Sequence, residues 1–130
     1  MSSLPASHRV RHAGFTLIEL VMVIVILAVL AAVAIPKFVD LGADAKSAAL
    51  SSVAGSLTSA SAVNYAARKA NGANGAAVAN CSDVAGLLQG GMPSGYAITA
   101  ATVAANATVA CTLTQSATGN TATFSATGIN

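Results

Sequence analysis

The sequence predicts an α+β protein, a long N-terminal α-helix spine with a small antiparallel β-sheet packed on its C-terminal half. Three observations carry this expectation. Phe15 to Ile35 is an apolar run broken only by Thr16 and Glu19. Small and apolar residues then recur every three or four positions from Leu41 to Ala67, the spacing of one helical face. Past Tyr96 the chain alternates between apolar and hydroxyl-bearing residues, the period of a strand with one buried face.

Composition bounds the function. The chain has 130 residues, the length of one domain. It is 55% hydrophobic and only 8% charged, where an average soluble domain carries about 25% charged residues. Disorder needs the opposite balance. The net charge is +2, with Arg9 and Arg11 near the start. Removing residues 1–14 brings the formal charge to zero, which argues against a nucleic-acid binder driven by a large basic field. Aromatics are 4% and Trp is absent, so a large aromatic core is not available.

The first element is a basic head, residues 1–14, with His8, Arg9, Arg11 and His12. By the positive-inside rule it stays cytoplasmic. The second, residues 15–35, gives roughly 31 Å of helix, enough to cross a bilayer. Three readings compete here. The run is the core of a cleaved secretory signal with a small-residue site at Ala32-Val33-Ala34. It is an uncleaved anchor. Or processing precedes the run, which then survives in the mature protein. Glu19 favours the third. A carboxylate in a spanning helix costs about 3 kcal/mol at the centre, less near an end, and such groups face a partner or do work. A charge tolerated at the membrane surface is the alternative.

Gly14-Phe15-Thr16-Leu17-Ile18-Glu19-Leu20, followed by the apolar run to Pro36, resembles the N-terminus of type IV pilins and the related pseudopilins. The resemblance implies that a membrane prepilin peptidase removes residues 1–14 as a leader by cutting between Gly14 and Phe15. The same enzyme would methylate the new amine of Phe15. It places Glu19 at the family's Glu, five residues after the cut, and Pro36 at the Pro that bends the family's helix. Lys37-Phe38-Val39-Asp40-Leu41 and the Ala/Ser stretch behind it are similar, more loosely, to short pilins of the mannose-sensitive haemagglutinin type.

The physics fits. A charge in a water-free bundle needs a partner. The amine of a cut Phe15 is a cation, and Glu19 lies one turn away, able to pair within its chain or with a neighbour. An unmatched Glu19 would penalise wrong axial registers, so one carboxylate both recruits a subunit and sets its stagger.

The third element is residues 36–70. Leu41, Ala45, Ala49, Val53, Leu57, Ala60, Val63 and Ala67 make one stripe, with the serines, Ser61 among them, mostly off it. Arg68 and Lys69 suit a helix C-terminus, and Asn71-Gly72 supplies the stop. A helix from Phe15 to Ala70 would be on the order of 84 Å long, so half of it must project. Pro36 should bend it or break it locally. Asp40 and Asp44 share a face. Without a His nearby they read as a solvated or ion-pairing face with Lys37 or Lys46, not as catalysts.

Residues 71–95 are rich in turn formers, with a short helix expected over Asp83 to Gln89, capped by Ser82 and ended by Gly90. Residues 96–130 read as the sheet. Its strands are expected at Tyr96–Thr99, at the repeated tetrapeptides Ala101–Ala104 and Ala107–Ala110, the latter running on to Gln115, and at Thr121–Thr127. Val109, Cys111 and Leu113 share one face, and Phe124 points inward. A low-complexity coil is the alternative for the Ala/Thr repeat.

Cys81 and Cys111 are the only cysteines. In a body outside the cytoplasm a disulfide persists, and the pilin resemblance implies one in this region. Metal ligation or redox chemistry would want a close Cys pair or a nearby His. Both His residues are in the leader, so the processed chain has none for a triad or a typical zinc site. Asn106-Ala107-Thr108 fits a glycosylation sequon, a pattern common by chance.

The reading is a structural subunit of a type IV pilus, not an enzyme, with no cofactor and no metal. Its partners would be other copies in a helical homopolymer, the prepilin peptidase, the inner-membrane assembly machinery and the membrane before assembly. It would be a single-pass inner-membrane precursor, then part of an extracellular pilus. The alternatives are a type II secretion pseudopilin and a small secreted or anchored protein that never polymerises. Calcium-binding pseudopilins want several carboxylates in the C-terminal region, and Asp83 is the only one after Asp44.

Overall fold

The computed structural model describes residues 14–130. The leader expected over residues 1–14 lies outside them except for Gly14. The chain divides into two compact units, Met1–Asp40 and Leu41–Asn130. Helix α1, Leu17–Ala70, contributes to both.

In the first unit α1 is apolar on every side, and its large side chains from Leu17 to Ile35 are all exposed. Thr16 starts it. The Glu19 N–H donates to Thr16 Oγ1 at 3.3 Å, and the Leu20 N–H donates to the Thr16 carbonyl at 3.2 Å. Thr16 thus takes the N-cap role that its hydroxyl suits. Pro36 lies inside α1, and the helix runs through it.

In the second unit the helix packs against a three-stranded antiparallel sheet of order β1-β2-β3. The strands are β1, Tyr96–Ile98, β2, Thr108–Gln115, and β3, Thr121–Thr127. Register pairs Cys111 with Phe124 and Leu113 with Ala122 in one ladder, and Ile98 with Leu113 in the other. The alternation read in the sequence places Cys111, Leu113 and Phe124 inward, where they join Leu50, Ala54, Leu57, Val78, Val84 and Ala126 in one core. α1 ends at Ala70, as its Asn71-Gly72 signal predicts. The Asn71 side chain accepts the Ala73 N–H at 3.0 Å, so the stop is an Asx turn.

Three expectations need correction. The buried stripe of α1 is Leu50, Ala54, Leu57, Ser61 and Asn64, not Leu41–Ala67. Leu57 belongs to both, but Leu41 and Val63 are exposed. The helix is rotated because its polar groups have work on the inside. Ser61 Oγ accepts the Thr127 N–H at 2.9 Å, Thr58 Oγ1 accepts the Ser125 N–H at 3.1 Å, and Asn64 bonds both backbone groups of Ala76 at 2.8 Å.

The short helix is a 3-10 helix over Cys81–Leu87 with Asn80, not Ser82, as its cap. Asn80 Oδ1 accepts the Ser82 N–H at 3.1 Å, while Asp83 Oδ2 accepts the N–H groups of Ala79 and Asn80 at 2.9 and 2.8 Å. This is a reciprocal capping box. Finally, Ala101–Ala104 is not a strand. It meets Asn80 in a single bridge at Thr102, and its backbone bonds run to Ala79 and Cys81.

Candidate assembly and processing site

Gly14 and Phe15 precede the first turn of α1 in non-helical chain, and both are exposed. A Cβ on Gly14 would meet nothing within 4 Å, and its φ is not left-handed. The fold of this chain therefore makes no demand for glycine there. The Gly14–Phe15 bond thus lies in exposed, non-helical chain, and non-helical backbone is what proteases act on.

Glu19 stands in the first turn of α1, where the positive end of the helix dipole favours a carboxylate. It is exposed and surrounded in sequence by exposed apolar residues, from Phe15 at 84% to Ile35 at 65%. Among the described residues α1 is the one helix long and apolar enough, by length and composition, to cross a membrane. Exposed apolar surface of this extent does not stay in water. It needs lipid or other protein.

Cys81 and Cys111 form a disulfide, with Cα atoms 5.8 Å apart and a sequence separation of 30. It ties the start of the 3-10 helix to the middle of β2. Both cysteines are buried.

Two comparisons bear on what this arrangement is. Residues 9–35 match the family model of the prokaryotic N-terminal methylation motif. Over 121 residues the chain is 40% identical to the major component of the type IV narrow pilus, PilA5, of Thermus thermophilus, a match covering 90% of this chain and 97% of that one. The chain belongs to the type IV pilins. No solved structure matches it.

In this pilin Gly14, Phe15 and Glu19 lie together at the head of α1, whereas Pro36 and the disulfide serve other parts of the chain. Several anchoring side chains were not singled out by sequence reasoning. Thr16 and Asn80 each stand three residues before an acidic residue, the spacing of a capping box, and that signal was available. Arg68 is another. Its Nε donates to the main-chain oxygen of Asn130 at 2.7 Å, and its Nη1 donates to the Gly75 carbonyl at 3.4 Å. It ties the end of α1 to Asn130 and to the turn at Gly75, a role that no local pattern announces. Lys69 lies 5.5 Å from the centre of the Tyr65 ring, within cation–π range.

Proposed function

We propose that this pilin is a structural subunit of a type IV pilus, cut after Gly14, methylated on the Phe15 amine and polymerised through its apolar helix. The observation that carries the reading is the exposed apolar run of α1 behind a non-helical Gly14-Phe15 and a lone carboxylate at Glu19. A membrane stores that surface in the precursor, and neighbouring copies cover it in the filament. The precursor is thus a single-pass inner-membrane protein and the product an extracellular pilus. Its partners are the prepilin peptidase, the assembly machinery and other copies of itself.

Glu19 is the only charged residue between Gly14 and Pro36. After the cut, the Phe15 amine supplies the matching cation one helical turn away. In a dry core, leaving one member of that pair unmatched costs far more than it does on a surface, whether the pair forms within a chain or between copies. The pair aligns the incoming subunit. Pro36 bends the helix where the spanning half gives way to the half that carries the sheet.

The test is the intact mass and N-terminal sequence of protein sheared from cells. A start at Phe15 with one added methyl group, in material that pellets as filaments, supports the reading. A start at Ile35, or an intact Met1 found only in membranes, overturns it in favour of a secreted or anchored protein that does not polymerise.

A further inference from the structure

The rotation of α1 leaves a surface that the pilin's own fold does not use. Of the stripe read from the sequence, Leu57 is buried, but Leu41 and Val63 face outward, Val63 being 69% exposed. Beside it an open groove of about 540 Å³ runs between α1 and the segments that follow it. Ala60, Val63 and Ala67 form one wall, and Ala76, Gly86 and Leu87 the other. No charged residue lines it. Of its two polar side chains, Asn64 already bonds both backbone groups of Ala76, which leaves the Ser59 hydroxyl as the polar side-chain group the groove offers an occupant.

We propose that this groove receives the Leu20–Ile35 stretch of a second copy of the chain in the filament. The inference rests on the polymer reading and adds where the helix of one subunit seats on the body of another. Three observations choose the occupant. A neutral, largely apolar groove favours a neutral, apolar ligand, because a charged group placed there would lose its water without gaining a counter-charge. Among the described residues, the exposed large hydrophobics lie on α1 and just before it, at Phe15–Ile35, Leu41 and Val63, so the chain itself supplies such a ligand in Leu20–Ile35. The wall is also shaped for a helix. Ala60, Val63 and Ala67 are spaced at three and four residues, and small side chains in that pattern let two helices approach closely, ridge into groove. Gly86 opens the opposite wall, since a Cβ there would meet nothing within 4 Å.

The space around Gly86 gives a direct test in the full chain. A photo-crosslinking phenylalanine derivative is placed at Gly86, filaments are collected and irradiated, and the adduct is mapped by mass spectrometry. The expected product is a covalent dimer joined to a residue within Leu20–Ile35 of the second copy. Filaments whose adducts map only to residues 71–130 of a neighbour, or only to lipid, overturn the proposal while leaving the polymer reading intact. An unsubstituted chain that forms no filaments would instead sink the polymer reading itself. A second variant, Val63→Lys, puts a charge in the groove without touching the core. Surface filaments should fall by on the order of ten-fold or more, with the cleaved, oxidised subunit still present in the membrane and melting as the unsubstituted chain does. Unchanged filament yield from Val63→Lys also overturns the proposal.

Discussion

Ser61 Oγ accepts the Thr127 main-chain N–H at 2.9 Å, joining residues 66 apart in sequence. One turn earlier Thr58 Oγ1 does the same for Ser125 at 3.1 Å. β3 is an edge strand, paired only with β2. Its outward N–H groups would be left without partners if the helix packed an all-apolar stripe against them. An open edge also invites pairing with other chains. The two hydroxyls close that edge and fix how α1 lies on the sheet.

Ser61→Ala leaves the Thr127 N–H buried with no acceptor, which costs about 1–3 kcal/mol. Ser61 is 1% exposed, so water cannot replace it. Thermal unfolding of the full chain in detergent, with the disulfide intact, should show a midpoint several degrees lower. Val63→Ala, on the exposed side of the same turn, should change stability by less than about 0.5 kcal/mol. Equal losses in the two variants would contradict the rotated stripe.

The same contacts explain which parts of the fold were readable in advance. The ends of α1 carry local signals, and so do β2 and β3, whose alternation is clear from Thr108 to Thr127. The helix face was not readable, because a stripe counted by hydrophobicity passes over Ser61 and Asn64, whose burial depends on donors far along the chain. The repeated Ala-Thr-Val-Ala tetrapeptide makes the same point. At Ala107–Ala110 it enters a ladder opposite Ala126 and Ser125 and lies in β2 from Thr108. At Ala101–Ala104 it finds no strand to pair with and bonds to Ala79 and Cys81 instead. Identical local sequence takes two structures because partners decide. The proposed processing site rests on Gly14, Phe15 and Glu19, which stand in one short motif inside the matched residues 9–35 and so need no distant partner to be noticed. The outward groove was not readable, since it arises from the rotation.

Removing the disulfide should destabilise the second unit. A loop of about 30 residues contributes roughly 3.5 kcal/mol through the unfolded chain. The paired variant Cys81→Ala with Cys111→Ala tests this, since both positions are buried and alanine leaves no unsatisfied polar group. Denaturant titration of the full chain should show a lower midpoint. An unchanged midpoint would mean that the core alone holds β2 to the 3-10 helix.

Two glycines separate folding from processing. A Cβ on Gly128 would strike the carbonyl of Ala104 and come within 3.1 Å of Val103 Cγ1. Gly128→Ala should therefore cost about 2 kcal/mol or more, in line with overpacking a tight contact. Gly14 has no such neighbour. Gly14→Leu should leave the melting temperature of the precursor unchanged and block the cut before Phe15, seen as full-length protein accumulating in membranes. A destabilised Gly14→Leu precursor, or normal cleavage of it, would break this division.

Asp83 Oδ2 accepts two backbone N–H groups, from Ala79 and Asn80. Asp83→Ala removes both acceptors and half of the capping box. The expected loss is about 1–2 kcal/mol, read as a lower unfolding midpoint. Asn80→Ala should act on the same unit, so the double variant should lose less than the sum of the two. Simple additivity would show that the box is not one device.

Glu19 offers the sharpest separation of chemistry from assembly. It is exposed in the first turn of α1 and contributes nothing to the core of the second unit. Its replacement should therefore leave the fold, the disulfide and the cut after Gly14 unchanged. What it would remove, in the proposed assembly, is the carboxylate that pairs with the amine of a cut Phe15. A buried amine without its partner costs about 3–5 kcal/mol, which for a growing filament is a large penalty at every added subunit. Glu19→Ala should yield cleaved subunit in the membrane and few surface filaments. Glu19→Asp keeps the charge on a shorter arm and should recover part of the yield, which a purely steric role for the side chain would not predict. Blocked cleavage in Glu19→Ala would move the residue from assembly to recognition by the peptidase. A full filament yield would remove it from both.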